Sequence, residues 1–132
     1  MPEPLHLGGL LGGGWRAAAF HPFRPGVEIC PILEGAPEGA PAVALLRYAP
    51  GAEVPWHRHR GLETVLVLEG AQSDARGDYP AGSLVLNPAG SAHRVWSGPG
   101  CVVLIQWERP VEFLSQAEAA LAGGSPAGGA AP

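Results

Sequence analysis

Three of the five histidines fall in a pattern that could hold a metal ion. Trp56-His57-Arg58-His59 puts two imidazoles at i and i+2, which on a strand places both on one face, about 7 Å apart. Glu63 follows four residues on, past Arg60-Gly61, where a turn lets the chain re-enter a sheet with its carboxylate facing the same interior. His93 comes after the turn Asn87-Pro88-Ala89-Gly90 and opens a further strand, beside the first in a compact antiparallel barrel. Paired histidines on a strand also occur as plain surface residues, and the pair alone leaves both readings open. Glu63 weighs toward an ion. It interrupts the apolar run Glu-Thr-Val-Leu-Val-Leu, and a buried carboxylate is costly unless paired or bound to a cation. Three imidazoles and a carboxylate suit one divalent transition metal per chain: Fe(II), Zn(II), Mn(II) or Ni(II). His6 and His21 stand alone and read as surface or edge residues.

Short strands must position these side chains. Val27–Ile32, Ala42–Tyr48, Glu63–Glu69, Ser83–Leu86, His93–Trp96 and Cys101–Trp107 are apolar or β-branched runs separated by Gly/Pro turn signals. That spacing predicts an all-β sandwich or small barrel rather than an alternating βαβ fold. Only Val111–Leu121 has room for a helix. Residues 1–19 form a Gly/Ala-rich arm, expected to be flexible and to lie over the domain or on a neighbouring subunit. The body of the domain spans 20–114, and 115–132 reads as a short helix and a disordered tail. The glycines of the arm mimic a phosphate loop, but no strand precedes them and no Gly-Lys-Ser/Thr follows.

Composition narrows the function classes. Twenty Gly and fifteen Pro among 132 residues would suggest low complexity. The 46% hydrophobic and 15% charged content says instead that they punctuate a fold. Eight basic residues, all Arg, against twelve acids give a net charge of −4, which leaves no basic stripe for nucleic acid. No run approaches the ~20 apolar residues of a membrane span. No basic segment precedes an apolar stretch at the N-terminus, so a cytoplasmic location is expected. Cys30 and Cys101 read as two free thiols.

Written out, the histidine region is Gly51-x5-His57-x-His59-x3-Glu63-x6-Gly70. After a gap of eleven residues comes Gly82-x5-Pro88-x-Gly90-x2-His93-x3-Ser97. The pair resembles both motifs of the cupin superfamily, departing only at Ser97, where Asn is usual and where the role is structural. Leu45–Gly51, Val67–Gly70, Gly77–Gly82 and Asn87–Gly90 narrow the resemblance to the ChrR-type cupin family, over roughly residues 22–113. That family includes the C-terminal cupin-like domain of an anti-sigma factor and small acetylacetone-cleaving dioxygenases.

The resemblance implies a small RmlC-like jelly-roll β-barrel with metal ligands His57, His59, Glu63 and His93. Four ligands on an octahedral ion leave two positions for water, dioxygen or a chelating substrate, the mark of a catalytic centre. Trp56, Trp96 and Trp107 could line the mouth, although strand parity turns Trp96 away from the His93 face. Arg47 and Gln106 are polar side chains inside apolar strands and, with Trp56, candidates for supporting the site or lining its pocket. Glu108-Arg109-Pro110 reads as a solvated strand exit. Intact ligand positions count against a structural or storage-type cupin with a vestigial site. Two functions stay open: a metal-dependent dioxygenase acting on a small diketone-like molecule, and a metal-dependent sensor or ligand-binding module. These 132 residues hold no counterpart of the anti-sigma factor's zinc-binding helical domain. Edge strands of so small a barrel need cover, so a homodimer is expected.

Overall fold

The computed structural model describes residues 3–35 and 41–123; the expected tail beyond 123 lies outside them. The strands are β1 (His21–Arg24), β2 (Val27–Leu33), β3 (Ala42–Tyr48), β4 (Glu53–Arg58) and β5 (Glu63–Asp74). They continue with β6 (Gly77–Pro80), β7 (Leu84–Asn87), β8 (Ala92–Trp96), β9 (Cys101–Trp107) and β10 (Glu112–Phe113). One helix, α1 (Gln116–Leu121), closes the described chain, with Ser115 and Glu118 forming a reciprocal cap at its N-terminus.

All pairings are antiparallel, in the order β1-β2-β3-β9-β5-β8-β4-β10, with β6 and β7 also on β5. The long β5 belongs to both layers of this curled sheet. Its first half pairs with β7 and β9, and its second half with β6 and β8. Gly70 makes the passage. It sits at φ 72°, and a Cβ there would lie 2.0 Å from the Gly100 carbonyl oxygen, so only glycine fits the bend.

Alternation sorts the core into two layers. Ala44, Leu46 and Tyr48 of β3, Val65 and Val67 of β5, and Val103 and Ile105 of β9 point into the barrel with Val27, Val54 and Val95. Leu45, Leu68 and Val102 point out and are covered by Trp15 of the N-terminal arm. Residues 10–17 form two short 3₁₀ turns, so this part of the arm takes the course over the domain. Arg16 anchors it with an ion pair to Glu69 at 2.9 Å.

The six expected strands are present. β1, β4, β6 and β10 are additional to those six, β4 carrying the Trp56-His57 segment, and β5 runs on to Asp74, past the Glu69 where the apolar run ends.

Candidate metal centre

β4 and β8 bring the histidines together by a change of register. Val54 pairs with Val95, but His57 pairs with His93, so β4 carries one extra residue at Pro55-Trp56. Proline suits this bulge because it has no N–H to give the ladder. Without the extra residue Trp56 would oppose His93; with it, His57 shares the interior face with Val54. The ladder continues past β4: the His59 N–H donates to the Ser91 carbonyl at 2.8 Å, and the Gly90 N–H donates to the His59 carbonyl at 2.7 Å. His57 and His59 are therefore both buried and face inward.

Each of the three clustered histidines is held through Nδ1. His57 Nδ1 lies 2.8 Å from the Pro55 carbonyl oxygen, which can only accept. His59 Nδ1 lies 3.0 Å from the Ser91 carbonyl oxygen and 2.9 Å from its hydroxyl. That hydroxyl spends its own proton on the Pro88 carbonyl at 2.6 Å, so His59 must donate. His93 Nδ1 lies 2.9 Å from Asp74 Oδ2. With all three protons on Nδ1, each Nε2 presents a bare lone pair. Atoms from the three rings lie within 4.8 Å of one another.

Glu63 stands beside the cluster on β5. Its cross-strand neighbours on both sides donate to it: Asn87 Nδ2 to Oε1 at 2.9 Å, and Trp107 Nε1 to Oε2 at 2.8 Å. Oε1 also stands 3.2 Å from His59 Nε2, yet Nε2 of His59 and of His93 make no hydrogen bond although both are buried. An unprotonated nitrogen facing a carboxylate oxygen is two acceptors with nothing between them. A cation resolves that conflict, so the donor set fits a divalent transition metal.

The electrostatics agree. Burial, then neighbouring His93, pushes His57 down to about 4, so its ring is neutral and able to ligate. Burial works against the charge on Glu63, but the close contact with His59 and positive charge on the three rings outweigh it and hold the carboxyl below its ordinary value. With the rings neutral, a cation at their Nε2 atoms would supply that positive charge instead. Asp74 is likewise held below its ordinary value: hydrogen bonds from His93, the Tyr79 hydroxyl and the Arg76 N–H outweigh its burial.

A cavity opens beside the cluster, lined by His57, Glu63 and His93 and, among others, Phe23, Arg24, Tyr48, Gln72, Trp107, Val111 and Phe113. Of the three tryptophans that could have lined it, Trp107 does and Trp96 does not. Arg47, Trp56 and Gln106 are not brought to it. Arg47 pairs with Glu28 at 2.7 Å on the outer face, and Gln106 alternates with the inward Ile105 and Trp107. Trp56 is on the bulge, with its carbonyl accepting from the Leu114 N–H. Asp74, Asn87 and Ser91 hold the site instead. Ser97 is fully buried and donates to the Ala71 carbonyl at 2.6 Å, a structural role.

Comparison with known proteins places this geometry. Residues 14–109 match the ChrR cupin-like domain family. The anti-sigma-E factor ChrR of Cereibacter sphaeroides is 37% identical over 108 residues, 80% of this chain and 43% of that protein. The chain therefore spans less than half of that relative's length. The Rhodobacter sphaeroides SigE–ChrR complex superposes with a TM-score of 0.61 at 28% identity, covering 70% of this chain and 49% of the other. An acetylacetone dioxygenase from Acinetobacter johnsonii superposes with a TM-score of 0.66 at 17% identity, covering 73% and 72%, a likeness of fold.

Proposed function

The chain belongs to the ChrR cupin-like domain family, and we propose that it holds one divalent transition metal on His57, His59, Glu63 and His93 and uses it on a small chelating organic molecule. The convergence of lone pairs on the buried Nε2 atoms carries this reading. We read the activity as that of a non-haem dioxygenase acting on a diketone-like substrate. A bound ferrous ion would supply dioxygen activation and the Lewis acidity that favours an enolate.

The chain's own residues supply the rest. Pro55, Ser91 and Asp74 fix the tautomers of the three rings. Asn87 and Trp107 hold the Glu63 carboxylate in place. Phe23, Val111 and Phe113 give the cavity a dry apolar wall. Burial pushes the Tyr48 phenol well above its ordinary range, so it keeps its proton. Gln72 Nε2 donates to that hydroxyl at 3.4 Å, leaving the phenolic proton to offer to a ligand oxygen.

Elemental analysis tests the site: about one transition metal per chain is expected, lost in His57→Ala and His93→Ala. Anaerobic loading with Fe(II) and an oxygen-electrode screen of β-diketones and aromatic ketones tests the activity. Substrate-dependent oxygen uptake is the expected result. A second reading, a metal-dependent sensor module, is favoured by the 37% identity to an anti-sigma factor, and metal binding without oxygen uptake would select it. No helix of the described residues is long and apolar enough to cross a membrane, and the proposed location is cytoplasmic. A homodimer belongs to the same reading, since β7 pairs with β5 and leaves Leu84 and Leu86 exposed. Light scattering at micromolar concentration checks it.

A further inference from the structure

We propose that Arg24 is a specificity-determining residue that recognises a carboxylate on the ligand, so that the site prefers an anionic chelator to a neutral one. The inference rests on the metal-binding reading above and adds the ligand's charge to it. Arg24 ends β1 and turns through Pro25-Gly26 into β2, with Gly26 at φ 74°, as a Pro-Gly turn requires. A register shift between Pro22 and Arg24 sets Arg24 directly opposite Val27. Val27 is 1% exposed and points into the barrel, and a directly opposed cross-strand pair shares a face. Arg24 accordingly lines the cavity.

Its guanidinium carbon sits 3.8 Å over the Phe113 ring, whose centroid is 5.8 Å from that of His57. A fixed positive charge and a candidate ligand of the metal thus both neighbour the same aromatic ring. Arg16, Arg47 and Arg94 each pair with a glutamate. Arg24, like Arg58, Arg60, Arg76 and Arg109, makes no ion pair among the described residues, and of these only Arg24 lines the cavity. Glu63, the one carboxylate in the cavity wall among them, already accepts from Asn87 and Trp107. A divalent ion would balance Glu63 together with Asp74, which stands behind His93, so Arg24 would leave the site one positive charge in excess. Arg24 is half-buried beside the Phe113 ring, and its planar fork matches a carboxylate.

Two probes differing by a methyl against a carboxylate test the inference: acetylacetone and 2,4-dioxopentanoate. Calorimetric titration of the Ni(II)-loaded protein should show 2,4-dioxopentanoate binding about tenfold or more tightly. Arg24→Gln should erase the difference and Arg24→Lys retain part of it. Metal content and Tm are measured on the same samples, so a misfolded variant is recognised, and Arg24→Lys then carries the comparison. Equal affinities in the unaltered protein, a preference that survives Arg24→Gln, or no binding of either probe overturns the inference while a metal content of one leaves the metal reading standing. An Arg24-dependent preference in protein that takes up no metal supports the inference and overturns the metal reading.

Discussion

His93 Nδ1 donates to Asp74 Oδ2 at 2.9 Å, tying a candidate metal ligand on β8 to the far end of β5. Asp74 is itself held by the Tyr79 hydroxyl at 2.7 Å and the Arg76 N–H at 2.9 Å, both to Oδ1. The carboxylate fixes the tautomer that bares Nε2 and adds negative charge behind the ring, raising its strength as a ligand.

Asp74→Asn should therefore weaken metal binding by about 10- to 100-fold without abolishing it. Tyr79→Phe, which leaves the His93 contact in place, should do less. Competition against a chromophoric chelator reads both. Wild-type affinity in Asp74→Asn would show that the contact orients nothing.

How much of this was legible is decided by where register is set. The candidate ligands were readable because His57, His59, Glu63 and His93 stand at fixed distances from turn glycines, and Glu63 also interrupts an apolar run. Asp74 was not, because Asp74-Ala75-Arg76-Gly77 reads as a turn and nothing local says that β5 continues through Gly70. The choice of Arg47 and Gln106 had a physical cause as well. β3 and β9 are apolar on both faces because the arm covers the outer one, so alternation does not reveal which face is inside. Trp56 was displaced by the bulge, which only the pairing of β4 with β8 reveals.

Gly70→Ala should destabilise the protein by about 2 kcal/mol or more, from a strained φ and the clash with the Gly100 carbonyl. The bend also sets Asp74 relative to Glu63, so metal affinity should fall along with the denaturation midpoint. Gly82→Ala also has positive φ, but nothing lies within 4 Å of its added Cβ. It should lose less stability and leave metal affinity unchanged. Equal effects from the two substitutions would remove the special role given to Gly70.

Trp15→Ala should cost about 3 kcal/mol, since the ring is buried against Leu45, Leu68 and Val102. These residues form the layer outside the barrel, so metal content should stay at the wild-type value while Tm falls. An unchanged Tm would mean that the arm does not cover the sheet in solution.

Alkaline pH should loosen the core. Burial pushes the Cys101 thiol from an ordinary 9.0 up to about 11, and it drives the Tyr48 phenol upward as well. Between pH 9 and 11 the unfolded chain gives up the thiol proton while the folded chain keeps it. The folded state then binds more protons, so stability is full below pH 9 and falls as pH rises through that window. Urea midpoints at constant metal content should decline there, and Cys101→Ala should flatten the decline. The same burial makes Cys101 slow toward a thiol-labelling reagent at pH 8, whereas Cys30, only half-buried on β2, should react first. A single labelling rate for both thiols would place Cys101 outside the core.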